Sequence, residues 1–375
     1  MEGEVLLKIS LLIYSLASGG AERQVSILLK ELSKKYKIYL VLMNDTIFYE
    51  IPKNVEVFYL EKSNPFESGI KKLLKIPFLA MKYKKFLKEK EIDVSLSFMN
   101  RPNYINVLAN RGIVSERINP FEEYKTNSLK DKINRLLVKA LYKKAKKVIP
   151  NSKGTEIELN NRGIKNTEVI YNMLELKKIG KLRNEEIDLQ KEKFTFITIG
   201  RLEPQKNTIL LIEAIKNIDA KLWIIGDGYL RDSLELKVKN EKLEEKVKFL
   251  GRQKNVYKFL NKADCFVFSS NYEGFPNVLL EALACKLPII SIDCKSGPRE
   301  ILAPNSDITK QTKDIEIAEY GILTPVGDVE KMQEAMQMII NDKNLREGYR
   351  KKALNRAKDF SIDKIIPKWE RILND

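Results

Sequence analysis

Short apolar runs alternate with longer stretches in which apolar residues recur every three or four positions, and this alternation continues through most of the chain. Leu7–Tyr14 reads as a first strand, and Ala21–Lys35 as a helix that follows a glycine turn. Lys37–Met43, Val55–Leu60, Asp93–Phe98, Gly112–Glu116 and Lys147–Asn151 have the character of further strands. Lys71–Glu91, Leu129–Lys146 and Lys153–Arg162 carry helical periodicity, and Val169–Tyr171 reads as a last strand before a break. The break, Asn172 to Lys193, is polar and charged, with few apolar residues and Gly180 inside it.

A second series then begins. Its strands are expected at Phe194–Ile199, Lys221–Ile225, Val247–Leu250, Asp264–Phe268 and Pro288–Ile292. Helices are expected near Asn207–Asn217, Tyr229–Asn240, Val256–Asn261, Val278–Cys285 and Asp328–Asn341. Repeated strand–helix alternation favours parallel sheets covered by helices, so an α/β protein of two such domains is expected. Domains of this kind bind ligands at the carboxyl ends of their strands.

The length of 375 residues agrees with two domains of ordinary size. No apolar run is long enough to span a bilayer. Met1–Val5 lacks the basic start of a secretory signal, and the three cysteines form no Cys-x-x-Cys pair, so a cytoplasmic protein is expected. The chain has no histidine, which excludes a Ser-His-Asp triad, a Cys-His pair and any histidine acid–base or metal ligand. No Asp-x-Asp pair is present to hold a cation against a diphosphate. No metal and no cofactor are therefore expected, with positive charge supplied by Arg, Lys and backbone dipoles.

The net charge of +16 is uneven. Residues 1–180 hold 33 Lys and Arg against 20 Asp and Glu, whereas the remainder is close to neutral. Lys71–Lys90 and Lys130–Lys147 interleave lysine with Leu, Ile, Phe and Tyr, a pattern suited to an anionic membrane surface. No recognised nucleic-acid motif accompanies the charge, so nucleic acid is not expected as a partner.

The segment richest in chemistry is Glu273-Gly274-Phe275-Pro276-Asn277-Val278-Leu279-Leu280-Glu281. It follows the strand-like Cys265–Phe268 and opens a helix, whose free N–H groups favour an anion such as phosphate. Glu273 and Glu281 would repel phosphate but accept hydrogen bonds from hydroxyls, so a nucleotide-sugar is the implied ligand. A second segment, Phe194 to Asn207, empties a buried strand into Gly200 and sets Arg201 and Lys206 just before a helix. Both cations are candidates for one diphosphate, Arg in bidentate fashion and Lys as a point charge. Gly226-Asp227-Gly228 and Phe249-Leu250-Gly251-Arg252 end the next two strands and allow a nucleotide to approach the backbone. The early Gly19-Gly20 turn lacks the third glycine of a dinucleotide fingerprint, which argues against nicotinamide. Ser115-Glu116-Arg117-Ile118-Asn119 ends a strand with a carboxylate, a cation and an amide together, and reads equally as a salt-bridged loop.

In order and spacing, these motifs, with Ser296-Gly297-Pro298-Arg299-Glu300, resemble glycosyltransferase family 4 over nearly the whole chain. The resemblance implies a GT-B fold: two Rossmann-like, doubly wound parallel-sheet domains facing a cleft. It places an acceptor-binding domain at 1–180, a donor-binding domain at 181–358, and a final helix, 359–375 with Trp369, returning to the first domain. It implies that Arg201 and Lys206 stabilise the leaving diphosphate, that Glu281 bonds the ribose and that Glu273 contacts the donor sugar. Gly200, Gly226, Arg252, Gly274, Phe275, Pro276 and Asn277 complete the donor site, while Gly19, Gly20 and Glu116 lie near the phosphates or acceptor. Arg117 stands where many members carry a histidine that contacts the donor sugar. Asn172-Met173 stands where Asn-Pro is frequent.

The expected function is retaining, metal-independent transfer of a sugar from a nucleotide diphosphate, with UDP and an N-acetylhexosamine favoured. The acceptor would be a saccharide or lipid-linked saccharide at the cytoplasmic face of the inner membrane, as in surface polysaccharide assembly. The alternatives are a GT-B sugar-nucleotide epimerase and a non-catalytic module that docks on membrane or nucleic acid.

Overall fold

The computed structural model describes residues 6–62 and 67–375, so the reading of Met1–Val5 lies outside the described residues. The chain forms two compact units, residues 1–173 with 363–375, and residues 174–362.

The first unit is built on six strands: β1 (Lys8–Ile13), β2 (Lys37–Leu42), β3 (Glu56–Tyr59), β4 (Val94–Phe98), β5 (Ile113–Glu116) and β6 (Val148–Pro150). They lie in the order β3-β2-β1-β4-β5-β6, and every pairing is parallel. Ile9, Leu11, Leu12 and Ile13 of β1 are fully buried, as a parallel strand covered on both faces requires. Trp369 of the terminal helix Ile362–Asn374 is buried in this unit, its ring 6.0 Å from that of Phe98.

The second unit carries β7 (Thr195–Ile199), β8 (Lys221–Ile225), β9 (Val247–Gly251), β10 (Cys265–Phe268), β11 (Ile289–Ile292), β12 (Glu316–Ile317) and β13 (Ile322–Thr324). Their order is β12-β13-β11-β10-β7-β8-β9. All pairs are parallel except the edge pair β12–β13. Phe196, Leu211, Ile212, Leu222 and Val267 lie within its core.

Several expectations need correction. Val169–Tyr171 forms no strand; it runs beside β6 with single bonds, Glu168 N–H to Val148 O at 3.0 Å and Ile170 N–H to Pro150 O at 3.1 Å. The long helix expected at Lys71–Glu91 is two helices, Gly69–Leu74 and Ile76–Glu89, divided at Lys75 just before Pro77. The 172–193 break contains a helix, Leu176–Leu182. Its following residue, Arg183, donates to Ala284 O at 3.3 Å, and Leu174 N–H donates to Phe360 O at 2.8 Å. These bonds carry residues 174–180 into the second unit, earlier than the expected boundary, and residues 359–362 belong there too.

The helix Asn100–Asn110 has no counterpart in the expected elements because it is buried on several sides, with Asn103 and Asn106 buried beside the core residues Tyr104, Ile105, Val107 and Ala109. Asn106 Nδ2 donates to Ile113 O at 2.8 Å, Asn103 Nδ2 to Ser115 O at 3.1 Å, and Ser97 Oγ to Asn103 Oδ1 at 2.8 Å. Hydrogen-bonded polar residues are thus buried among apolar ones, and no one-sided apolar stripe results, so hydrophobic periodicity is weak.

Candidate active site

In the second sheet β7 is flanked by β8 on one side and β10 on the other. The strand order therefore reverses at β7, and the carboxyl ends of β7 and β10 mark the usual ligand position in such sheets. The two chemistry-bearing segments of the sequence meet there. Asn271 N–H donates to Gln205 O at 2.8 Å, Gln205 Nε2 to Tyr272 O at 3.0 Å, and Ser269 Oγ to Lys206 O at 2.8 Å. Lys206 Nζ stands 2.5 Å from Glu273 Oε1, and Glu273 is 8% exposed. Asn207 takes a left-handed backbone (φ 48°) as it enters the helix Thr208–Ile215, which turns the chain sharply after Lys206. A small cavity lined by Gly200, Lys206, Thr208, Phe268, Ser269 and Ser270 opens at this point.

Two glycines are required by backbone approach. Gly226 has φ 139°, and a Cβ there would lie 1.8 Å from Gly200 O. Beyond the ends of β7, β8 and β9 the ladder continues, with Gly200 N–H bonded to Ile225 O at 3.0 Å and Gly226 N–H to Gly251 O at 2.9 Å. Gly297 has φ 95°, and its Cβ would meet Gly274 O at 2.9 Å and Pro276 Cδ at 2.5 Å. The Ser296–Glu300 motif thus braces the Glu273–Asn277 turn from behind. Its own anchor is Arg299, whose Nη2 reaches Asp293 Oδ2 at 2.6 Å and Glu316 Oε2 at 2.7 Å. Nothing in the spacing of the motif points to that ion triad, since Glu316 comes from the edge strand β12.

The remaining donor-site candidates are dispersed. Gly274, Phe275 and Pro276 are buried and lead into the helix Asn277–Ala284, with the Phe275 ring 5.3 Å from that of Phe360. Glu281 lies one turn into that helix on the side of Asn277 and is 3% exposed. Arg201 sits in the Lys206 turn, but its side chain is largely exposed and bonds Glu203 Oε1 at 3.1 Å rather than the Lys206–Glu273 pair. Arg252 is exposed past the end of β9, the sheet edge, with β8 between it and β7. The three cysteines are free and buried, and burial pushes the Cys285 thiol up to about 12, so no thiolate nucleophile is present. Among the described residues, no group of three or more acidic or thiol side chains is gathered to hold a metal ion.

In the first unit the candidates are engaged with neighbouring residues. Gly19 caps the helix Gly20–Leu32, and the Glu22 carboxylate folds over it, 2.2 Å from where a Gly19 Cβ would be. An acid at that helix start disfavours phosphate. Glu116 is 1% exposed; it accepts from Tyr142 Oη at 2.6 Å and from the Arg117 N–H at 3.0 Å. These bonds hold the loop after β5. Arg117 is likewise engaged: Nη1 donates to Ser115 Oγ at 3.1 Å, and Nη2 donates to Asn172 Oδ1. Burial pulls its guanidinium down to about 10. Asn172 and Met173 end the unit, and Gln24 clamps Met173 through its N–H at 2.7 Å and its O at 3.1 Å. Arg117 and Gln24 thus fix the end of the first unit's chain, a role for Gln24 that no sequence pattern marks.

Burial pushes the Glu116 carboxyl from 4.5 up to about 7. A carboxyl with a raised folded pKa binds its proton more tightly when folded, so its contribution is complete below 4.5 and is lost as pH rises through about 7. Stability is expected to fall across this window by up to ~3 kcal/mol, and Glu116→Gln to flatten the fall while retaining the acceptor for the Arg117 N–H. Thermal midpoints read at intervals across the window test this. An unchanged slope in the variant would assign the dependence to other groups, Glu123 first, since burial raises it as well.

The family model described as glycosyl transferases group 1 matches residues 182–356, the span that contains this constellation. The N-acetylgalactosamine-N,N'-diacetylbacillosaminyl-diphospho-undecaprenol 4-alpha-N-acetylgalactosaminyltransferase of Campylobacter jejuni is 41% identical over 369 residues, covering 96% of this chain and 97% of that protein. The chain belongs to the group 1 glycosyl transferases. A second Campylobacter jejuni relative, GalNAc-alpha-(1->4)-GalNAc-alpha-(1->3)-diNAcBac-PP-undecaprenol alpha-1,4-N-acetyl-D-galactosaminyltransferase, is 31% identical and covers 98% of both chains. Sucrose-phosphate synthase from Thermosynechococcus elongatus superposes with a TM-score of 0.83 at 19% identity, covering 98% of both chains. The fold of this glycosyltransferase is GT-B, with two parallel-sheet α/β domains.

Proposed function

We propose that this glycosyltransferase is of the family 4 type and transfers an N-acetylhexosamine, N-acetylgalactosamine in the first instance, from its UDP derivative to a saccharide carried on a polyprenyl diphosphate, with retention of configuration. The observation that carries this reading is the 41% identity over nearly the full length of both chains to a relative named for that transfer. The α linkage in that name supports retention, because UDP-N-acetylhexosamines of this kind are themselves α-linked.

The chemistry of the second unit is consistent with it. Breaking the anomeric bond leaves negative charge on the nucleotide diphosphate, which must be neutralised as it develops. Lys206 is the group best held for that task, because Glu273 and the hydrogen bonds of its turn fix it at the switch point. Arg201 would join it by turning from Glu203, and Gly200, Gly226 and the N–H groups near Asn277 let the diphosphate approach the backbone. Glu273 would accept from a donor-sugar hydroxyl and Glu281 from the ribose. The leaving phosphate would take the acceptor proton, so a chain without histidine needs no other base.

The test pairs binding with turnover, all with EDTA present. Thermal shift is measured against UDP, GDP, ADP and CDP and their N-acetylhexosamine and hexose derivatives. Transfer is then followed by mass spectrometry with a polyprenyl-diphosphate disaccharide. The reading expects stabilisation by the UDP series and an acceptor heavier by one N-acetylhexosamine. Turnover of the donor to its epimer without acceptor would replace it with the epimerase. A requirement for added divalent metal would remove the metal-independent part.

A further inference from the structure

The chain from Ala303 to Ile315 runs without helix or strand between the short helix Pro298–Leu302 and the edge strand β12. One buried side chain, Arg299, gathers it. Arg299 Nη1 donates to Ser306 Oγ at 3.0 Å and to Glu316 Oε1 at 3.1 Å, near the two ends of the loop. Its Nε reaches Asp293 Oδ2 at 3.1 Å, and its Nη2 is shared between Asp293 Oδ2 and Glu316 Oε2. Asp293 Oδ2 also accepts from the Thr312 N–H at 2.7 Å, further along the loop. All five N–H groups of the guanidinium are thereby engaged, and none is left for a ligand. Asp293 follows β11, Glu316 lies on β12, and β13 runs between those strands. Arg299 therefore spans β13 and ties the sheet edge to the segment that follows β11.

At the other end of that segment, Gly297 presses on the Glu273 turn. Besides Gly274 O and Pro276 Cδ, a Cβ at Gly297 would meet Phe275 Cα at 3.2 Å. Three successive residues of the turn thus pack on its bare backbone. The helix Pro298–Leu302 is too short to hold its place by its own hydrogen bonds. It is fixed from outside by Arg299 and by Arg356, whose Nη2 donates to Glu300 O at 2.6 Å and whose Nε donates to Ile301 O at 3.0 Å.

We propose that Arg299 and Glu316 are positioning residues for sugar transfer: through Gly297 they hold the Glu273 turn where its carboxylate meets the donor sugar. The inference rests on the reading of Glu273 as the donor-sugar contact. In that reading Lys206, Arg201 and the glycine loops hold the nucleotide diphosphate, and they lie outside the segment that Arg299 fixes. Loss of the triad should misplace the sugar and spare the nucleotide. A merely structural role would not produce that split.

Arg299→Ala is unsuitable as a test, because it strands the Asp293 carboxylate, 1% exposed, without its counter-charge. Arg299→Lys keeps the charge but loses the fork that spans two carboxylates. The Glu316 side chain is 34% exposed at the sheet edge, so Glu316→Gln retains the fold should Arg299→Lys unfold. The full chain is assayed with UDP-N-acetylgalactosamine and the polyprenyl-diphosphate disaccharide, with rates corrected for the folded fraction. UDP alone is titrated by calorimetry. Arg299→Lys is expected to slow transfer about tenfold or more and Glu316→Gln about threefold, with UDP affinity within about twofold of wild type. In a Glu273→Gln background, Arg299→Lys should cost less than about threefold more, because the group it positions is already gone. Losses that multiply in this cycle overturn the proposal, as does UDP affinity that falls in step with the rate. A slow Glu273→Gln enzyme beside unimpaired Arg299→Lys and Glu316→Gln enzymes sinks the proposal alone. Absence of transfer in wild type, or a Glu273→Gln enzyme at full rate, removes the donor-site reading and the proposal together.

Discussion

Lys206→Ala is expected to slow sugar transfer on the order of 10²-fold or more, with a smaller loss of nucleotide affinity. Lys206 is the cation held most firmly at the switch point: Glu273 Oε1 lies 2.5 Å from its Nζ, and its carbonyl accepts from Ser269 Oγ at 2.8 Å. A cation fixed before the reaction stabilises developing charge without reorganising, whereas binding of a ground-state diphosphate is shared with backbone N–H groups. The loss should therefore fall more on kcat than on KM. Lys206→Arg keeps the charge but moves its centre, so it should recover part of the rate. Removal of the ammonium also leaves the Glu273 carboxylate, 8% exposed, without its partner, so Glu273→Gln in the same background separates that cost. Single-turnover rates and nucleotide titrations on these variants suffice. A Lys206→Ala enzyme within about threefold of the wild-type rate would move the charge-stabilising role elsewhere, to Arg201 first.

Gly226→Ala is expected to destabilise the second unit by about 3–5 kcal/mol. Two penalties coincide: a positive φ of 139° that alanine adopts only under strain, and a methyl carbon 1.8 Å from Gly200 O. The obstructing atom is backbone, so relief requires the ends of β7 and β8 to part. That breaks the Gly200 N–H to Ile225 O and Gly226 N–H to Gly251 O bonds and displaces the turn carrying Lys206. Gly348→Ala is the matched control. It lies inside the helix Lys343–Lys358 with nothing within 4 Å of its added methyl group, and should gain up to about 1 kcal/mol. Urea unfolding monitored at Trp223, in the centre of β8, reports on this unit. Equal midpoints for Gly226→Ala and wild type would contradict the argument.

Local pattern carried the strands well, because a parallel strand buried on both faces must be mainly apolar, and β1, β2, β7, β8 and β10 are, with Ser10, Thr195 and Thr198 as buried polar positions. It carried poorly wherever burial is polar or the element short. The Asn100–Asn110 helix buries Asn103 and Asn106 among its apolar residues, and β12 and β13 are two and three residues long. The Glu273–Glu281 and Gly200–Lys206 segments stood out because a strand, a glycine and charged residues at a helix start form a local pattern. Glu116 and Arg117 stood out for the same reason, yet the structure turns them inward, to Tyr142 and to Asn172.

By itself the sequence determined two α/β series, an excess of positive charge in the first, the absence of histidine chemistry, and the two charged strand-to-helix segments proposed to meet a diphosphate. Tertiary structure alone decided that β10 lies beside β7, so that Glu273 meets Lys206 across 67 positions of sequence. It also decided that Gly297 supports the Gly274 turn, and that Ile70, Leu74, Phe78 and Met81 face outward instead of into the core. The physical reason is that hydrophobic periodicity and turn chemistry act over a few residues. Strand order and the choice between an inward and an outward apolar face are settled by long-range packing, which local pattern does not encode.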